Sequence, residues 1–169
     1  RLDPQRDPRP GEPRAVVRDE RHVRHAPDAN DARHAAGVTD AADERREQQA
    51  QLRRLSAAVQ QASESILITD LDGRIEYVNR AACERSGYAE HELIGRSARI
   101  FESGHTPPQV NRELWSEITA GRTWRGFVFN RHKDGSDYVE FGTVTPIRDA
   151  DGVVTNYLAV HEDVTEKRR

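Results

Sequence analysis

Three Asp-Gly pairs punctuate this chain, at Asp72-Gly73, Asp134-Gly135 and Asp151-Gly152. Each lies between runs rich in β-branched and aromatic residues, as in "SILITDLDGRIEYVN" and "RDADGVVTNYLAV". Asp-Gly accepts the positive-φ conformations of tight reversals, so each pair predicts a turn between antiparallel strands. The first turn makes a hairpin in which Ile75, Tyr77 and Asn79 are expected on one face. The other two join "TWRGFVFNRH", "SDYVEFGTVTPIRD" and "VVTNYLAVHEDVT" into three consecutive strands. Between the two strand groups the pattern is helical. "NRAACERSGY" reads as a short helix ended by Gly87, and "AEHELIG" as a second closed by Gly95. "GRSARIFESGH" reads as irregular. In "TPPQVNRELWSEITAG" the prolines suit a first turn, Val110, Leu114 and Ile118 share a face, and Gly121 ends the helix. Strands at both ends of a helical middle predict an α+β fold with an antiparallel sheet.

The N-terminal part has a different texture. All ten aromatics lie between Tyr77 and Tyr157, so the packed part is expected to start in the sixties. Residues 1–39 carry five of the eight prolines and few large apolar groups. Such a segment buries too little surface to offset its ordering entropy and is predicted to be a disordered linker. His22, His25 and His34 there lack a regular ligand spacing and read as solvated, so no metal is expected. Residues 40–63 read as a helix, with Asp40 as N-cap and Asp43 and Glu44 in the first turns. Leu52, Leu55, Val59 and Ala62 follow at spacings of three, four and three, a short coiled-coil seam. The seam suits either pairing with a second copy or packing on its own domain.

Charge and composition exclude several functions. The formal net charge of -3 gives no electrostatic case for nucleic acid or an anionic membrane. No apolar run reaches bilayer length and no signal peptide is visible, so this segment is expected to be cytoplasmic and to make no membrane contact. The single cysteine, Cys83, excludes an internal disulfide framework and reads as a small buried hydrophobe. Methionine is absent even at position 1, which suggests a piece of a longer protein. Glu140 and His161 fall on adjacent strands, but no nucleophile motif or glycine-rich phosphate loop accompanies them. No enzymatic activity is expected of this segment.

Several pieces occur together in order: "ITDLDGRIEYVN", "GY" followed by "ELIG", Trp124-Arg125-Gly126, "NRHKDG", "TPIRDADG" and the closing "DVTEKRR". In this they resemble a PAS domain, the sensory module of bacterial signalling proteins. The resemblance implies a five-stranded antiparallel sheet, helices on one face and a pocket between the two layers. It implies a PAS domain over residues 64–165, after a signalling helix over 40–63. Members usually form homodimers and relay a signal to an effector in the same chain, such as a histidine kinase or a cyclic-dinucleotide enzyme. The final strand ends in an Asp-Ile/Val-Thr motif, here Asp163-Val164-Thr165, which implies a signal-output role for Asp163 and Thr165. Residues 166–169 would then begin the output helix.

The same resemblance leaves FAD or FMN open as a cofactor. Flavin-type relatives share the "W.G" and "NR.KDG" pattern, and light-oxygen-voltage members carry a reactive cysteine in a Gly-Arg-Asn-Cys-Arg motif. Here that stretch is "GRSAR", with Ser97 for the asparagine and Ala98 for the cysteine. A cysteinyl-flavin adduct is therefore not expected. Arg99 and Asn130 match positions that contact flavin in those relatives. Glu140 stands where they have a second asparagine, and His161 where they have a glutamine. Trp124 joins this candidate set, although Trp115 and Trp124 both read well as core aromatics. Haem is disfavoured, because the long helix offers no axial histidine. Two functions stay open: a sensor that binds a small ligand, and a ligand-free module used for dimerisation.

Overall fold

A computed structural model describes residue 26 and residues 28–168 of the chain, which divides into two units, 1–45 and 46–169. Helix α1 spans Ala29–Gln61 and buries no residue. Its start lies well before the expected Asp40. The Asp28 carboxylate caps it instead, accepting from Asn30 N at 3.0 Å and Asp31 N at 2.7 Å. Part of the expected linker is thus helical. The prolines that marked the linker stop at Pro27, and the following stretch is rich in alanine, the strongest helix former. The rest of that expectation falls on residues 1–25 and 27, outside the described residues. No helix among the described residues is long and apolar enough to cross a membrane.

In the second unit, β1 (Ser65–Thr69) and β2 (Ile75–Val78) form the first hairpin. Helices α2 (Arg80–Ser86) and α3 (Glu90–Leu93) follow, then a 3-10 turn at Ala98–Phe101 and α4 (Pro108–Thr119). The meander is β3 (Trp124–Arg131), β4 (Asp137–Arg148) and β5 (Val154–Asp163), and α5 (Thr165–Arg168) closes the described chain. The strands form one five-stranded sheet in the order β2-β1-β5-β4-β3, every pair antiparallel. The expected α+β fold, with a five-stranded sheet and helices on one face, is the fold observed.

The turns work as the sequence implies. Gly73, Gly135 and Gly152 take φ of 82°, 93° and 80°, a region open to glycine without steric cost. An upstream aspartate secures each of the two Asp-x-Asp-Gly reversals. Asp70 Oδ1 accepts from the amides of Asp72 and Arg74, both at 2.9 Å. Asp149 Oδ1 accepts from those of Asp151 at 2.9 Å and Val153 at 3.0 Å.

Asn79 departs from the strand reading. It is fully buried and caps α2, its Oδ1 accepting from Ala82 N and Ile66 N, both at 3.0 Å. Its Nδ2 donates to the carbonyls of Val59 and Glu64, both at 2.9 Å. One side chain therefore fastens the end of α1, β1 and α2 together. Two apolar clusters fill the space between helices and sheet. One gathers around Ile75, Val78, Ala82 and Leu93, the other around Ile118, Trp124 and Tyr157.

Candidate functional site

A cavity of about 490 Å³ lies between the two clusters, and residues of both line it. Its sheet wall follows the two-residue period of the strands: Ser65, Leu67 and Thr69 on β1, Val128 and Asn130 on β3, Tyr138 and Glu140 on β4, Tyr157, Ala159 and His161 on β5. Leu114, Trp115 and Ile118 of α4 form much of the opposite wall. Trp115 lies edge-on to Tyr157, with ring centroids 6.1 Å apart. The lining residues Asp72, Arg74, Ser97, Arg99 and Glu102 are exposed and mark the side open to solvent.

The buried end is polar. Asn130 on β3 and His161 on β5 flank Glu140 on β4, and all three are buried. Glu140 Oε1 accepts from Asn130 Nδ2 at 3.0 Å, and Oε2 accepts from Arg85 Nη1 at 2.7 Å. Burial lifts the Glu140 carboxyl above the ordinary carboxylate range, against the pull of Arg85 and Asn130. Burial, and then the Arg85 cation, depress the His161 imidazole to a pKa of about 4, so it is neutral at neutral pH. Its Nε2 is buried without a hydrogen-bond partner among the described residues. His161 lines the cavity, and a buried polar atom left without a partner carries a cost. Burial also holds the Tyr138 phenol well above its usual range.

Four of the five residues expected at a cofactor site line this cavity: Asn130, Glu140 and His161 at the buried end, Arg99 on the open side. Trp124 does not. It packs with Ile118 and Tyr157 in the core, its indole against Gly126. Trp115 lines the cavity in its place. Ala98 also lines the cavity, while Cys83 packs against the other cluster and carries a thiol pKa raised by burial.

The Asp163-Val164-Thr165 turn pins the end of β5 to β4. Val164 N donates to the Val139 carbonyl at 2.9 Å, and Val139 N donates to Thr165 Oγ1 at 3.0 Å. Burial pushes the Asp163 pKa up, but the Thr165 hydroxyl and amide outweigh it and hold the carboxyl low. Val139 stands between Tyr138 and Glu140, both of which line the cavity.

A residue that sequence reading missed completes the site. Arg85 comes from α2, three positions after the buried Ala82 and next to the buried Ser86. A buried glutamate on an inward strand position demands a cation, and that demand was the overlooked signal.

A one-sided helical layer lies over a five-stranded antiparallel sheet, and the two enclose a cavity with a polar end. The chain belongs to the PAS domain family, whose family model matches residues 63–166. It is 33% identical over 107 residues to a nitrogen fixation regulatory protein of Klebsiella pneumoniae, covering 63% of this chain and 22% of that protein. It is 32% identical over 110 residues to blue-light-activated histidine kinase 1 of Erythrobacter litoralis, covering 63% of this chain and 31% of that one. The chain thus spans less than a third of the first of these relatives. Among solved structures, an RNA-binding light-oxygen-voltage receptor aligns with a TM-score of 0.64 at 29% identity, over 68% of this chain and 33% of its own. A light-oxygen-voltage domain studied with a flavin analogue aligns at 0.62 and 29% identity, over 68% of this chain and 87% of its own. These likenesses make it a PAS sensory domain related to segments of signal-transduction proteins.

Proposed function

We propose that this PAS domain senses a small heteroaromatic ligand, with flavin the leading candidate, and relays occupancy through Asp163 and Thr165 to an effector in the same chain, in the cytoplasm. The observation that carries this reading is a cavity of about 490 Å³ whose polar end includes His161, a side chain with its Nε2 buried and no hydrogen-bond partner among the described residues. That volume falls in the ordinary range for small-molecule sites. The cavity fits a flat ring system with a polar edge: aromatic groups at Trp115 and Tyr157, hydrogen-bonding groups at Asn130, Glu140 and His161. A bound flavin would supply a chromophore and a redox centre, and Arg99 on the open side would face its charged tail. Kinship with regulators and histidine kinases supports the relay. The turn at Asp163–Thr165 supports its direction, since it bonds to the residue adjacent to Glu140.

The experiment is a spectrum. The purified chain, titrated with FMN or FAD, should develop a structured band near about 450 nm with quenched flavin fluorescence. A spectrum and fluorescence identical to free flavin at every concentration would reject flavin. The reading as a ligand-free dimerisation module is favoured by a different observation, the exposed Leu52 and Leu55 of α1.

A further inference from the structure

Arg85 makes three contacts in three separate parts of the domain. Its side chain is 14% exposed. Nη1 donates to Glu140 Oε2 at 2.7 Å and to the His161 carbonyl at 3.0 Å. Nη2 donates to the Ser63 carbonyl at 3.0 Å. Glu140 faces the cavity. Ser63 lies in the link between α1 and β1 and adjoins Glu64, whose carbonyl Asn79 clasps along with that of Val59. His161 lies two residues before Asp163, whose side chain holds the Thr165 amide at 3.0 Å. A single cation therefore touches the cavity-lining Glu140, the link that follows α1, and β5 two residues before the Asp163-Val164-Thr165 turn.

The chemistry of the group makes these contacts interdependent. A guanidinium is a rigid planar fork, so its donors move together. Charge-assisted bonds are the strong ones, and the Glu140 contact sets where the fork points. A ligand that presents an N–H or O–H to the Glu140 carboxylate competes with Arg85 for the same oxygens. Asn130 already occupies one of them. Any displacement of the carboxylate turns the fork, and the bonds to Ser63 and His161 then change at once.

We propose that Arg85 is the positioning residue of this site: it presents the Glu140 carboxylate to a hydrogen-bond donor on the ligand, and it couples that contact to both helical connectors simultaneously. The proposal rests on the cavity being the ligand site argued above. Reciprocity follows, since a change in either connector must alter affinity in the cavity by the same factor.

Amide hydrogen exchange on the full chain tests it, with Arg85→Lys and Arg85→Gln as variants. Lysine keeps the charge beside Glu140 but lacks the fork that spans two carbonyls. In Arg85→Lys, exchange over residues 64–66 and over residues 163–165 should accelerate together by about tenfold, equivalent to about 1.4 kcal/mol. Exchange over residues 124–128 of β3 should change by less than about twofold. Adding FMN or FAD to the wild type should shift both connector segments, and in Arg85→Lys the two should no longer respond together. Uniform acceleration along the whole chain would overturn the proposal, because Arg85 would then be a general scaffold residue. So would acceleration at one connector alone. If Arg85→Gln fails to fold, the lysine variant still decides. If flavin does not bind, that ligand falls, while the comparison without ligand still decides the role of Arg85.

Discussion

His161 shows how burial at one residue sets the behaviour of the site. Its folded pKa of about 4 lies below the 6.5 of an unperturbed imidazole. The unfolded chain therefore takes up a proton at a pH where the folded chain resists it. The stabilising effect of a neutral His161 is complete above about pH 6.5 and is lost as pH falls towards about 4. The full loss is about 3 kcal/mol, from 1.36 kcal/mol per pKa unit. Urea denaturation at pH 7.5 and pH 4.5 should show the wild type losing more stability than His161→Gln, by about 2–3 kcal/mol. An equal pH dependence in the two proteins would show that His161 is not held neutral. Position 98 carries the second prediction at this scale. Ala98 lines the cavity at the position that the resemblance to light-oxygen-voltage domains aligns with a cysteine, and Cys83 lies outside the cavity lining with a raised pKa. Blue illumination of flavin-loaded protein should give no reversible thiol adduct, and Ala98→Cys is the change that would permit one. Reversible bleaching of the flavin band with mass added at Cys83 would contradict this.

Among the elements, α1 is the one whose packing the domain leaves open. It runs over 33 residues without burying any of them, and Leu52 and Leu55 are 66% and 57% exposed. Leu52 and Leu55 do not lie on their own sheet, so the reading in which the seam covers that sheet loses its main support. Pairing across a homodimer is the proposal that remains. An exposed surface substitution changes monomer stability within about 0.5 kcal/mol, whereas charge placed in a buried apolar contact costs several kcal/mol. Leu52→Asp with Leu55→Asp should therefore leave the fold and its thermal midpoint intact and abolish association in sedimentation velocity. A double variant that stays dimeric would rule out the seam as the interface.

For the whole molecule, the question is where the stabilising contacts lie. Among the described residues, both apolar clusters and every strand fall in residues 46–169. The described residues before Arg46 are helical from Ala29 onward and almost all exposed. Trimming the chain to 46–169 should shift the thermal midpoint by no more than about 4 °C, the shift that about 1 kcal/mol produces in a domain of this size. A larger drop would place a stabilising contact in the removed segment. The retained chain keeps the Asn79 clasp on Val59 and Glu64, so the entry to β1 should survive trimming.

The strands, the turns and the order of the helices were legible in the amino-acid sequence. Asp-Gly reversals, proline at a helix start and glycine at a helix end act on the local backbone and need no distant partner. The resemblance to flavin-type PAS domains singles out Asn130, Glu140 and His161, and the two-residue period of the strands in the folded sheet puts all three on the cavity wall. Other features depended on tertiary structure. Trp124 and Trp115 are alike in sequence, yet one fills the core and the other lines the cavity, because the crossing of α4 over the sheet decides which side each indole meets. The start of α1 shifted to Asp28 because helix propensity continues back to Pro27, the last of the N-terminal prolines, rather than stopping at an acidic residue further on. Arg85 could be assigned only once α2 was packed over β4 and β5. Its partners are 22, 55 and 76 residues away, and only folding brings a guanidinium to a carboxylate and two carbonyls at such separations.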